Sequence, residues 1–92
     1  MKVYWTSEAE QDRSDIWELI AADDLAAAVR LDERFSATTH QLANFPELGK
    51  PGNVSGTREF IPHGSYRLVY QIDEDAIWIL ALVHTSMMWP PL

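Results

Sequence analysis

The stretch Gly56 to Pro90, GTREFIPHGSYRLVYQIDEDAIWILALVHTSMMWP, decides the fold, because it holds three strand-like runs separated by two turn signals. In Tyr66-Arg67-Leu68-Val69-Tyr70-Gln71-Ile72 the alternation puts Tyr66, Leu68, Tyr70 and Ile72 on one strand face and Arg67, Val69 and Gln71 on the other. The first face is wholly apolar, and the second carries a cation. Asp73-Glu74-Asp75 turns the chain. Ala76 to His84 is then a nearly unbroken apolar run with β-branched residues, the pattern of a central strand buried on both faces. These two runs are expected to pair antiparallel. Upstream, Thr57 to Ile61 reads as a third strand, closed by the turn residues Pro62-His63-Gly64.

The residues before this stretch read as its support. Lys2 to Thr6 is a short β-prone run, and Ser7 followed three residues later by Glu10 has capping-box spacing, which predicts a helix from about Glu8. Ala9, Ile16, Leu19 and Ile20 recur at helical spacing with Trp17 beside them, while Gln11, Asp12, Asp15 and Glu18 form the solvated side. Asp23 and Asp24 can end this helix and cap the next. In the second helix Leu25, Ala28, Val29, Leu31, Phe35, Thr38, Leu42 and Phe45 step by threes and fours until Pro46 stops it. Pro46 to Asn53 is a loop by its Gly and Pro punctuation. The order β-α-α-β-β-β predicts the α+β class: an N-terminal strand and an antiparallel helical hairpin on one face of a small twisted antiparallel sheet. The other face is left for function. Arg67, Val69 and Gln71 point there, joined from the neighbouring strand by Arg58 or by Glu59 according to a register that the pattern leaves open.

With 92 residues, 47% of them hydrophobic, the chain is expected to form one domain over 1–92, closing a core without staples. It has no cysteine, which excludes disulfides and thiolate metal sites, and the acids of the first helix show no D-x-D or H-x-x-H spacing, so neither a metal nor another cofactor is expected. No apolar window approaches the roughly 18 to 20 residues of a membrane span, and a soluble, cytoplasmic protein is expected. The net charge of −7 repels nucleic acid at long range and favours a partner with a basic segment.

Several fragments then stand in a telling order: W-T-x-x-A-x-x-D at Trp5–Asp12, D-I-W at Asp15–Trp17, F-P-x-L-G-x-P-G at Phe45–Gly52, G-T-R-E at Gly56–Glu59, Y-R-L-V-Y at Tyr66–Tyr70 and I-L-x-L-V-H at Ile79–His84. In these the chain resembles toxins of the RelE/ParE superfamily of bacterial type II toxin–antitoxin systems. The resemblance implies a growth inhibitor of the kind that stabilises plasmids, neutralised by a co-expressed antitoxin in a hetero-oligomer. The implied target is DNA gyrase, as for ParE-like toxins, or ribosome-bound mRNA, as for RelE-like endonucleases. By position, Arg67 matches the arginine that contacts the scissile phosphate in RelE-like nucleases. Arg58 falls in the region that supplies other charged site residues, and His84 lies near the segment where YoeB-like members place a catalytic histidine. Met87-Met88 departs from the pattern, since similar sequences carry a basic residue after H-T-S. Met87 in that place also fits an inactivated member.

Metal-independent RNA cleavage needs a base for the 2′-hydroxyl, cations for the phosphorane and an acid for the leaving oxygen, roles open to Arg67, Arg58 and His84. Against it, Arg67 fits an ordinary cross-strand ion pair with Glu59 or an acidic loop, His84 fits a structural histidine, and His63 an exposed turn residue. Trp17 and Trp78 are expected in the core. In Met87-Met88-Trp89 no alternation buries the side chains, which makes this tail the expected antitoxin-binding patch. The acidic balance and the missing cation after His84 favour a binding inhibitor of gyrase over a nuclease.

Overall fold

The computed structural model describes residues 1–91, with His63 described in its backbone alone. The elements run β1 (Lys2–Trp5), α1 (Ser7–Ala21), α2 (Leu25–Asn44), β2 (Lys50–Pro51), β3 (Thr57–His63), β4 (Tyr66–Asp73) and β5 (Ala76–His84). They form a helical hairpin on one face of a five-stranded sheet ordered β1-β5-β4-β3-β2. Strands β2 to β5 pair antiparallel, as the turn signals require, and β1 joins β5 in parallel. The sheet is therefore mixed; the two helices and strands β2 to β4 all lie in the long connection between the parallel pair β1 and β5. Between the helices and the sheet lie Phe35 and Leu42 from α2, Ala9 and Ile16 from α1, and Leu68, Tyr70, Ile77, Ile79 and Leu82 from the strands. Tyr66 and Ile72 pack against this cluster, so the apolar face of β4 lies toward the helices as its alternation predicts.

Two helix starts show how the sequence sets local structure. At α2 the Asp24 carboxylate accepts from the Ala27 amide at 3.1 Å, the expected cap. At α1 the cap falls one residue earlier than the capping-box spacing suggests. Thr6, not Ser7, is the N-cap; its hydroxyl accepts from the Ala9 amide at 3.1 Å, while Ser7 donates to Glu8. Thr6 is still held by the sheet, its amide donating to the Ile79 carbonyl at 3.0 Å, and this fixes the extended backbone that a cap residue needs. At the outer ends of the apolar stripes Leu19, Leu25 and Phe45 are exposed, contrary to the periodicity. Phe45 follows the last helical residue, and its backbone turns its side chain off the helix face.

Strand β5 carries a bulge. Val69 pairs with Ala81 and Tyr70 with Ile79, which leaves Leu80 unmatched. Ile77, Ile79 and Leu82 therefore all reach the helix side although the last two are three residues apart. Trp78 goes to the opposite face, where it stacks on Tyr4 with ring centroids 4.9 Å apart, rather than into the core. Past Ile79 the outer edge of β5 has no strand beside it, because β1 has ended at Trp5. Helix α1 closes that edge, with the Asp12 carboxylate accepting from the Leu82 amide at 3.1 Å. Asp12 thus leaves the solvated side that the pattern assigned to it.

The loop after α2 is tied to the core by Tyr70, whose hydroxyl donates to the Pro46 carbonyl at 2.6 Å and accepts from the Gly49 amide at 2.9 Å. A Cβ at Gly49 would stand 2.8 Å from the Tyr70 ring, so glycine is required there. Lys50-Pro51, expected as loop, adds a two-residue edge strand opposite Glu59 and Arg58. Strand β3 runs on through Pro62, with a register shift between Phe60 and His63, before turning at Gly64. The His63 side chain, expected in the turn, lies outside the described residues. Among the described residues no helix is long and apolar enough to cross a membrane.

Burial raises the Asp12 carboxyl above its ordinary value; the Leu82 amide opposes the rise, and the charges of Asp15 and Glu8 add to it. The folded state therefore holds this proton more tightly than the unfolded chain, and its contribution to stability is present at acid pH and lost as pH rises through the folded value. Urea denaturation should show wild type gaining stability relative to Asp12→Asn on acidification through the carboxylate range. Asp12→Ala, which strands the Leu82 amide, should cost about 1–3 kcal/mol, and the cost should grow on acidification as it does for Asp12→Asn.

Candidate functional site

Cross-strand register settles which side chains share the open face of the sheet. Glu59 pairs with Val69 and Thr57 with Gln71, so it is Glu59 that joins Arg67 there. Arg58 pairs with Tyr70 and lies on the helix side, where its guanidinium donates to the carbonyls of Gly49 at 2.6 Å and Glu47 at 3.4 Å. His84 pairs with Tyr66, also on the helix side, with its ring edge-on to the tyrosine at 5.6 Å. The three sequence-derived candidates are thus not brought together. Arg67 stands on the open face without the other two, and Arg58 and His84 lie on the helix side, paired with Tyr70 and Tyr66 from the strands on either side of β4.

Arg67 is held on every nitrogen. Its Nε lies 3.3 Å from Glu59 Oε1, and its two terminal nitrogens donate to the Met87 carbonyl at 3.2 Å and the Thr85 carbonyl at 3.3 Å. Glu59 in turn accepts from the Asn53 amide at 3.2 Å. Only 20% of the Arg67 side chain and 7% of the Glu59 side chain remain exposed, so the pair is nearly withdrawn from water and neutralises itself. A phosphate reaching Arg67 would have to displace a carboxylate and two carbonyls. The ion pair raised as the alternative for Arg67 is therefore present, and it also clamps the C-terminal segment by its backbone.

That segment makes a tight turn in which the Met87 amide donates to the His84 carbonyl at 2.9 Å. The Ser86 amide donates to His84 Nδ1 at 3.1 Å, which leaves the proton of the neutral ring on Nε2, facing outward from an exposed side chain. Met87 and Met88 are 59% and 60% exposed, and Trp89 is half-buried. The clamp holds the main chain while the methionines project into solvent. On the helix side of the sheet, beside Ser65 and Tyr66, Arg30 and Arg34 line a cleft that the sequence pattern did not mark. Its only sequence signal is two arginines one helical turn apart on α2.

The same helical hairpin across a sheet is found in solved structures of bacterial toxins. The fold matches a structure of the chromosomal ParDE TA system from P. aeruginosa with a TM-score of 0.80 at 18% identity, over 91% of this chain and 95% of that one. It matches the YoeB/ParE toxin from Agrobacterium tumefaciens with a TM-score of 0.66 at 17% identity, over 91% and 98% of the two chains. In sequence it is 32% identical over 90 residues to "Putative toxin Y4kP" of Sinorhizobium fredii, covering 97% of this chain and 93% of that protein. Residues 3–89 match the family described as ParE toxin of type II toxin-antitoxin system, parDE. The chain belongs to this ParE toxin family of the RelE/ParE superfamily.

Arg67→Ala should strand the Glu59 carboxylate and free the tail together, costing about 2–3 kcal/mol, less than a fully buried pair because Arg67 keeps some contact with water. Limited proteolysis should then cut between Thr85 and Trp89 faster than in wild type. Unchanged cleavage of a folded variant would show that the clamp does not hold the tail.

Proposed function

We propose that this chain is the growth-inhibiting toxin of a toxin–antitoxin pair, acting in the cytoplasm by occupying DNA gyrase rather than by cutting RNA, and neutralised by a co-expressed antitoxin. The observation that carries this reading is the placement of Arg67. Cleavage without a metal needs cations and proton-transfer groups within about 3 Å of one phosphate. Here the best-matched cation is neutralised by Glu59, and Arg58 and His84 lie on the opposite side of the sheet. The net charge of −7 also repels an RNA substrate. Membership of the ParE family supports gyrase as the target class, and the description of a structural neighbour as a ParDE toxin–antitoxin system supports the antitoxin.

Purified protein should lower the supercoiling activity of gyrase and leave mRNA intact on translating ribosomes. Ribosome-dependent cleavage that disappears in Arg67→Ala would overturn the reading in favour of a nuclease. Absence of both effects would point to an inactive member.

The exposed Met87 and Met88, with Trp89 beside them, form the apolar anchor we assign to the antitoxin. Its segment should carry basic residues, which the acidic surface steers in a salt-dependent way. In calorimetry against the co-encoded antitoxin, Trp89→Ala should lose at least tenfold in affinity while Glu10→Ala changes little. Equal losses would place the antitoxin elsewhere.

A further inference from the structure

Of the seven Lys and Arg residues, most have evident duties. Arg13 pairs with Asp32 at 2.6 Å, Arg67 pairs with Glu59, and Arg58 is bound to loop carbonyls. Lys2 and Lys50 sit on the two edge strands. Arg30 and Arg34 are different: both are exposed, and among the described residues neither comes within ion-pair distance of a carboxylate. Four residues apart on α2, they stand side by side, where like charges repel unless an anion lies between them.

They also share a cavity. Arg30 and Arg34 line a cleft of ≈ 330 Å³ whose other walls come from Ser65 and Tyr66 at the turn between β3 and β4. Ile20 and Leu31 add apolar lining from the two helices. Two adjacent guanidinium groups over an apolar floor match a short peptide stretch that offers one or two carboxylates and an apolar side chain. A nucleic acid fits less well, because the protein's overall charge opposes it and no run of cations continues from the cleft to follow a phosphate backbone.

We propose that this cleft is a second anchoring point for the antitoxin, taking an acidic stretch with an apolar residue; this rests on the toxin–antitoxin reading above. A segment basic where it meets the acidic surface and acidic where it meets Arg30 and Arg34 can lie on the toxin in one direction only. Reversing it would set like charges against each other at both ends. The cleft adjoins the start of the tail, where the Thr85 amide donates to the Ser65 carbonyl at 2.8 Å and His84 pairs with Tyr66, so one continuous segment can reach both and their contributions need not add.

The test is calorimetry of the co-encoded antitoxin against wild type, the double variant Arg30→Ala/Arg34→Ala and the double variant Arg30→Glu/Arg34→Glu, each checked for folding by circular dichroism. Because both arginines are exposed, folding should survive. The expected result is a tenfold or greater loss for the alanine pair, a larger loss for the glutamate pair, and recovery of the latter by an antitoxin with its acidic stretch changed to lysine. Wild-type affinity in both variants would overturn the cleft and leave the toxin–antitoxin reading standing; no binding to wild type would overturn both. A labelled 20-nucleotide RNA, titrated in parallel, separates the remaining outcome. If RNA binds wild type and the variants lose it while keeping the antitoxin, the cleft belongs to nucleic acid and the proposal fails.

Discussion

Strand β5 loses its outer partner half way along, and the order of the N-terminal half follows from that. Up to Ile79 the strand has β1 on one side and β4 on the other. Beyond it, a row of polar backbone groups would face solvent at a sheet edge. Helix α1 covers them: Thr6 caps the helix while its amide holds the Ile79 carbonyl, and six residues further on Asp12 receives the Leu82 amide. Between the two, Ala9 is fully buried where the helix crosses the sheet. A larger residue there would push the helix off and break both hydrogen bonds. The spacing of Trp5, Thr6, Ala9 and Asp12 is thus a mechanical device, a strand end, a cap, a close approach and an edge seal in one helical turn and a half. Arg13 continues it by joining α1 to Asp32 and Ser36 of α2 while lying 4.8 Å from the centre of the Trp5 ring.

Much of this was legible because it rests on local rules. The alternation in β4 names the core face, Asp24 names the second helix start, and Pro46 names its end. What escaped was set by contacts across the chain. A one-residue bulge at Leu80 cannot be seen in a run that is apolar throughout, and without it Leu82 is assigned to the open face. Trp78, ahead of the bulge, is assigned to the core because the run reads as buried on both faces, whereas it pairs with Gln71 on the open one. Asp12 looks like any surface acid until the strand whose amide it meets has been placed. The exposure of Phe45 depends on where α2 unwinds, which Tyr70 helps to decide by gripping the following loop from 24 residues away.

The candidate site depended on a single register. Moving β3 by one residue would exchange Arg58 for Glu59 on the open face, and with it the sign of the charge beside Arg67. The observed pairing selects the acid, and a cation that looked reactive in the sequence becomes half of a shielded pair. The same pairing explains why both residues are needed: Glu59 without Arg67 would be a buried charge, and Arg67 without Glu59 would hold the tail while carrying uncompensated charge of its own.

Arg67 takes hold of the tail through the carbonyl oxygens of Thr85 and Met87, groups that every amino acid possesses. The path of the main chain there is consequently indifferent to which side chains it bears. Residues at these positions can diverge between related chains without disturbing the scaffold, so a constant frame can carry a changing display. Under the antitoxin contact proposed above, a lineage that must keep its own partner, and ignore those of its neighbours, has in this segment a place to vary at little cost to folding.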